Sequence, residues 1–238
     1  MDKGTLFLIP TSLAEDTAGT VIPEGTLAVV RRLEHFIVEE LRTARRFLSK
    51  AGTAKPVSEL VLSVFNEHSR ADDPDQHLAP ALSGHDVGLL SEAGAPCVAD
   101  PGSSIVARAH QHGIRIVPLT GPSSILLALM ASGFNGQNFA FLGYLPTDKI
   151  LRIRRIREIE RRMYEADQTQ IFIETPYRNL QLFEALVSGC RGETLLCIAT
   201  DLTGPDEKIQ SLSIDDWRHR QPAIHKRPAI FLLYRQGR

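Results

Sequence analysis

Through its first half the chain alternates short apolar runs with segments of helical periodicity. Thr5 to Pro10, His35 to Glu39, Leu60 to Phe65, Val87 to Leu90 and Ile114 to Pro118 read as strands. Leu27 to Leu33 and the amphipathic Leu41 to Lys50 read as helices, the second stopping near Gly52. The acidic, proline-bearing Asp72 to Asp75 starts another helix, and Gly102 to His112 and Pro122 to Ser132 give two more. Strands of this length separated by helices are the pattern of βαβ units, so an α/β domain on a parallel sheet is expected.

After Phe139 to Tyr144 the rhythm changes. One long helix, Asp148 to Ala166, precedes strand Thr169 to Ile173 and helix Tyr177 to Val187. Strands Leu195 to Ala199, Lys208 to Leu212 and Ala229 to Tyr234 then follow one another with little helix between them. Such a succession indicates a mixed or antiparallel sheet. The change places a domain boundary near Pro146, giving an N-terminal α/β domain over 1–145 and a C-terminal α/β domain with a mixed sheet over 146–238. No internal repeat or low-complexity segment interrupts either.

Composition sets outer limits. A chain of 238 residues with 43% hydrophobic and 23% charged residues has the balance of a folded globular protein. A formal net charge of -1 excludes a uniformly basic nucleic-acid binder but leaves room for a local basic face. Cys97, Cys190 and Cys197 form no C-x-x-C pair, which fits three reduced, buried thiols better than a disulfide framework or a zinc site. No metal is expected. No apolar run approaches the roughly 18 residues that span a bilayer, and Leu6 to Ile9 is too short for a signal peptide, so a cytoplasmic protein away from membranes is expected.

The densest cluster of small and turn-forming residues, Ser91 to Gly102, follows the buried run Val87 to Leu90 directly. Loops outside the carboxyl ends of parallel strands are where open α/β sheets bind ligands, and small side chains let a ligand approach the backbone. A second loop of this kind, Pro118 to Ser124, leads into an apolar helix, where Ser123 and Ser124 serve either a ligand or the helix start. Neither loop matches the phosphate-binding G-x-x-x-x-G-K-[ST] or the dinucleotide-binding G-x-G-x-x-G pattern.

These loops belong to an ordered series. Ile9-Pro10-Thr11, Asn66-Glu67-His68, Ser91-Glu92-Ala93-Gly94-Ala95-Pro96 running to Ala99-Asp100-Pro101-Gly102, and Gly121-Pro122-Ser123-Ser124 come first. Gly143-Tyr144-Leu145-Pro146, Glu174-Thr175-Pro176-Tyr177-Arg178 and Asp201-Leu202-Thr203 complete it. The series resembles the tetrapyrrole methylase superfamily over nearly the whole chain, and most closely the branch that methylates a cytidine ribose 2′-hydroxyl in small-subunit ribosomal RNA. The resemblance implies a two-domain α/β homodimer that binds S-adenosyl-L-methionine in the cleft between its domains. By position it assigns cofactor contacts to Pro10, Ser91, Glu92, Ala93, Gly94, Ala95, Gly121, Pro122, Ser123 and Ser124. Thr175, Leu202 and Thr203 would supply the other wall. Four departures fall on the substrate side. The family's G-N-L after P-T is replaced here by Ser12 to Asp16, and A-E-D-T-R by Val38-Glu39-Glu40-Leu41-Arg42. Its H-E-H-N becomes Asn66-Glu67-His68-Ser69, and the lysine after L-T becomes Gly204.

Methyl transfer from a sulfonium is an in-line displacement that needs alignment and exclusion of water, and a ribose hydroxyl gains from a nearby base. His68 beside Glu67 is the first candidate, with Asp100 and Glu40 behind it. Asp100 and Glu92 have a second reading as short acids that hold loop amides. In Asp148 to Arg162, Ile150, Ile153, Ile156 and Ile159 are spaced to face a core, leaving Arg152, Arg154, Arg155 and Arg157 for a cationic outward face that could collect RNA phosphates. Arg178 joins that set, and Tyr144 and Tyr177 are candidate base-stacking aromatics. Residues 148–162 carry +4 and residues 218–238 carry +6, leaving -11 for the rest of a chain whose total is -1. The reading is a methyltransferase acting on ribosomal RNA or the small ribosomal subunit. Its alternatives are the same fold methylating a tetrapyrrole or other small acceptor, and an RNA-binding module that has lost turnover.

Overall fold

A computed structural model describes residues 2–66 and 73–235, which form two compact units, Met1–Ser123 and Ser124–Arg238. Unit 1 runs β1 (Thr5–Ile9), α1 (Ala18–Val21), α2 (Glu24–Arg32), β2 (His35–Val38), α3 (Leu41–Ala51) and β3 (Val61–Val64), then α4 (Pro74–Leu82), β4 (Val87–Leu90), α5 (Ser103–Gln111) and β5 (Arg115–Pro118). Its five strands lie in the order β3-β2-β4-β1-β5, and every pairing is parallel. Alternate residues face opposite sides of a strand. Phe7, Ile9, Phe36 and Val38 therefore pack with Val30 and Leu48 in one core, while Leu6, Ile37 and Leu89 pack with Leu78 and Ile105 in another. Both faces are covered, as a parallel sheet requires. Helix α3 starts where the Glu40 carboxylate accepts the Thr43 N–H at 2.6 Å, and it stops at Gly52, whose φ is 74°.

Unit 2 comprises α6 (Ser124–Ser132), β6 (Phe139–Tyr144), α7 (Lys149–Ala166), β7 (Thr169–Ile173), α8 (Asn179–Gly189), β8 (Leu195–Thr200), β9 (Lys208–Ser213), α9 (Ile214–Trp217) and β10 (Ala229–Tyr234). Its sheet has the order β6-β7-β10-β8-β9; β6 and β7 are parallel and the other pairings antiparallel, so the sheet is mixed. Ile156, Ile159, Met163, Phe172, Leu182, Leu186, Trp217 and Phe231 share one core, in which the Phe172 and Phe231 rings lie parallel at 6.1 Å.

The units divide at Ser123 and Ser124, whereas the change of sequence pattern puts the boundary between residues 145 and 146. Helix α6 packs on β8, β9 and β10, and the Ser211 hydroxyl donates to the Ser132 carbonyl at 2.8 Å. Strand β6 hydrogen-bonds to β7. Both precede the long helix in sequence, but their burial partners come later.

Candidate functional site

In unit 1 the carboxyl ends of neighbouring strands β1 and β4 emit loops that bind each other. Thr11 N–H donates to the Gly94 carbonyl at 2.9 Å, and Gly94 N–H returns a bond to Thr11 at 3.2 Å. The Ser91 hydroxyl donates to the Gly94 carbonyl at 2.7 Å, and the Thr11 hydroxyl to the Ser91 carbonyl at 3.3 Å. Thr11 and Ser91 are both buried. Gly94 has φ +76°, and a Cβ there would sit 3.0 Å from Leu13 Cδ2. Gly121, in the loop after β5, packs against the ring of Pro10. The structure thus brings Pro10, Ser91, Gly94 and Gly121 together as one lattice of small residues. Glu92 and Ala93 are exposed at its rim, and Glu92 N–H points to the Glu39 carboxylate at 3.3 Å.

The second part of the Ser91 to Gly102 loop is conformationally costly. Cys97 and Ala99 have φ of 68° and 59°, values that L side chains seldom adopt and that persist where surroundings over-determine them. Asp100 is one such restraint, since its Oδ1 accepts the Gly102 N–H at 2.7 Å and it also takes the Cys97 N–H. Burial raises the Asp100 pKa, with those two amides opposing. Burial, reinforced by Asp100, pushes the Cys97 thiol up to about 12, so it is no nucleophile. Cys190 and Cys197 are buried, and all three thiols are free. Glu40 is a helix cap whose pKa is lowered by the backbone amides of Arg42 and Thr43, which makes it a weak base. Glu67 and His68 lie outside the described residues.

In unit 2, β7 and β8 run antiparallel to β10 and therefore end on the same side of the sheet. Glu174, directly after β7, is buried; its Oε1 accepts from the Thr175 N–H at 2.7 Å and from Arg178 at 2.6 and 3.0 Å. Arg178, expected to face RNA, is committed to this carboxylate. Asn179 opens α8 and donates to the Arg227 carbonyl at 2.7 Å, while Arg227 pairs with Asp201 at 2.5 Å. Leu202 is buried and Thr203, at φ 69°, donates its N–H to Glu207 at 2.7 Å. Glu174 Oε2, Asn179 Oδ1 and Thr203 Oγ1 are buried with no hydrogen-bond partner. All three belong to the segments that directly follow β7 and β8, next to Thr175 and Leu202 in sequence, and a buried polar atom normally has a partner.

The basic helix departs from its expected geometry. The buried stripe of α7 is Arg152, Ile156, Ile159, Glu160 and Met163, whereas Ile150 is exposed. A strict spacing of three drifts around a helix of 3.6 residues per turn, so Ile150 leaves the face that Ile156 and Ile159 occupy. Arg152 takes that place in the interior and is not part of the outward cationic face. Arg154 and Arg157 are exposed, and Arg155 pairs with Glu158 at 2.8 Å. Tyr144 and Tyr177 are both exposed.

A profile of the Tetrapyrrole (Corrin/Porphyrin) Methylases matches residues 16–217. The chain belongs to that family. This methylase is 30% identical over 220 residues to Ribosomal RNA small subunit methyltransferase I of Pseudomonas aeruginosa, covering 91% of this chain and 74% of that one. It is 31% identical over 206 residues to the protein of the same name in Mesorhizobium japonicum, covering 87% and 66%. The crystal structure of the methyltransferase CobJ has the same fold, with a TM-score of 0.66 at 18% identity over 98% of this chain and 94% of that one.

Methyl transfer is accordingly the reaction class of this methylase. Three residues that sequence reasoning did not single out as site residues are Thr11, Glu174 and Asn179. Thr11 and Glu174 stand inside the motifs Ile9-Pro10-Thr11 and Glu174-Thr175-Pro176, but only the folded loops show that one locks the Gly94 turn and the other carries a free buried oxygen. Among the described residues no cluster of His, Cys, Asp and Glu could hold a metal ion, and no helix is long and apolar enough to cross a membrane.

Proposed function

We propose that this methylase transfers a methyl group from S-adenosyl-L-methionine to a ribose 2′-hydroxyl of a cytidine in small-subunit ribosomal RNA. The reading is carried by the similarity, over 91% of the chain, to a protein named for methylating that RNA. S-adenosylmethionine would supply the methyl group as a sulfonium electrophile. The free acceptors Glu174 Oε2 and Asn179 Oδ1 and the hydroxyl of Thr203 suit its ammonium, ribose and adenine donors. Thr175, Leu202 and Thr203 line that part of unit 2. In unit 1, Pro10, Ser91, Glu92, Ala93, Gly94, Ala95, Gly121, Pro122 and Ser123 offer backbone groups with small side chains, and Ser124 follows them. A preset backbone lattice orients a ligand without reorganising when it binds.

The acceptor hydroxyl would lose its proton as its oxygen takes the methyl group, while the electrons of the broken sulfur–methyl bond would return to sulfur and leave a neutral thioether as the co-product. His68 with Glu67, or Asp100 with its raised pKa, takes that proton. Arg154, Arg155 and Arg157 form the RNA-facing cations of α7. Helix α6 is apolar nearly all round yet leaves Leu126 and Met130, one turn apart, 51% and 78% exposed, which supports a second copy of the chain as partner. We place this work in the cytoplasm, where ribosomal RNA is modified.

Incubation with labelled S-adenosylmethionine and either small ribosomal subunits or a tetrapyrrole extract tests the reading. Label in the ribosomal RNA is the expected result, and label entering only the extract would make the small-acceptor alternative the correct one.

A further inference from the structure

Arg152 is 6% exposed, and its Nε and Nη1 are shut off from solvent without a hydrogen-bond acceptor. A guanidinium presents five N–H donors in a planar fork and has no acceptor of its own, so burying it calls for acceptors supplied from outside the side chain. A buried charge without a partner is strongly unfavourable. The acids nearest in sequence are occupied: Asp148 Oδ1 caps α7 by accepting the N–H groups of Ile150 and Leu151 at 2.9 Å, and Glu158 pairs with Arg155. Packing alone does not explain an arginine here, because a stem that merely filled space would extend its whole head to water.

Position in the fold adds a second observation. Helix α7 connects β6 to the parallel β7, so its first turn lies at the carboxyl end of those strands. Glu174 Oε2, Asn179 Oδ1 and Thr203 Oγ1, each buried and unpartnered, follow the carboxyl ends of β7 and β8 on that same side. Donors without acceptors and acceptors without donors are therefore gathered at one end of one sheet.

We propose that Arg152 is an oxyanion receptor, whose Nε and Nη1 donate to a carboxylate or phosphate oxygen of a bound ligand. The inference deepens the methyltransferase reading and rests on it for the two sources of that oxyanion: the α-carboxylate of the methyl donor, or a phosphodiester of the RNA.

The test begins with inorganic phosphate, which needs no assumption about function. Phosphate should raise the thermal midpoint of the wild-type protein and leave that of Arg152→Met unmoved; equal responses in both would overturn the proposal. Calorimetry then separates the sources. If the carboxylate is bound, Arg152→Met weakens S-adenosylmethionine by about tenfold or more, while 5′-methylthioadenosine, which lacks the amino-acid tail, binds both proteins alike. If a phosphodiester is bound, S-adenosylmethionine is unaffected, and the affinity for ribosomal RNA falls with a salt dependence shallower by about 0.7 in log–log slope. Unchanged affinity for every ligand would show a guanidinium served by water alone, which overturns the proposal. The unliganded Arg152→Met protein should be at least as stable to urea as the wild type, because an unpaired buried charge is gone. Should that variant not fold, Arg152→Gln is read in the same arms. A wild-type protein that answers to phosphate through Arg152 but binds neither S-adenosylmethionine nor RNA would uphold the receptor and remove the methyltransferase reading.

Discussion

A Cβ atom placed on Gly121 would stand 2.5 Å from the Cβ of Pro10. The loops after β1 and β5 can approach this closely only because one has no side chain. Gly121→Ala should therefore force them apart, costing about 1–3 kcal/mol in urea unfolding and abolishing S-adenosylmethionine binding in calorimetry. Near-normal affinity would show that the Pro10 loop has no part in the cofactor site.

Asp100 should make the protein less stable as pH rises. Burial lifts its folded pKa above the ordinary 3.8, so between the unfolded and folded values the folded state binds more protons. Its unfavourable contribution is absent below the unfolded value and complete above the folded one. Asp100→Asn keeps an oxygen for the Gly102 amide and should flatten that decline in urea midpoints measured from pH 3 upward.

The opposite sign applies to Asp75. Arg108 holds its carboxyl well below the ordinary 3.8 with bonds of 2.6 Å, and His112 adds one at 2.7 Å. This contribution is present above the unfolded pKa and lost as pH falls toward the folded one. Asp75→Asn should lower stability at neutral pH and make the acid limb shallower below about pH 4, as read from the same midpoints.

Replacing Arg154, Arg155 and Arg157 together with Glu should weaken RNA binding and leave S-adenosylmethionine affinity intact. If the three contact phosphates of single-stranded RNA, the slope of log affinity against log salt should become shallower by about 2. An unchanged slope in filter binding would remove α7 from the RNA interface.

The parallel sheet of unit 1 was legible because its strands are short, apolar and separated by helices, and the mixed sheet of unit 2 because its last strands follow one another without helices. The boundary between the units was not. Helix α6 and strand β6 read as a continuation of the first half, and only their packing on β7 to β10 assigns them to the second. The face of α7 was misplaced by a spacing of three: isoleucines drew attention to Ile150 and away from Arg152, which the 3.6-residue turn carries into the interior.

Sequence alone determined the class of this protein, because its ordered motifs place glycine, proline and small residues at strand ends, where tight turns require them locally. Tertiary structure decided what the charges do. The tail that carries +6 in isolation folds back onto acids far away in sequence: Arg227 onto Asp201, Arg235 onto Asp167, and, closer by, Arg218 onto Asp215. Arg178 is likewise spent on Glu174, whereas Arg152 has its Nε and Nη1 enclosed without an acceptor. Composition counts a cation wherever it lies, but its chemistry depends on which carboxylate or which solvent the fold brings to it.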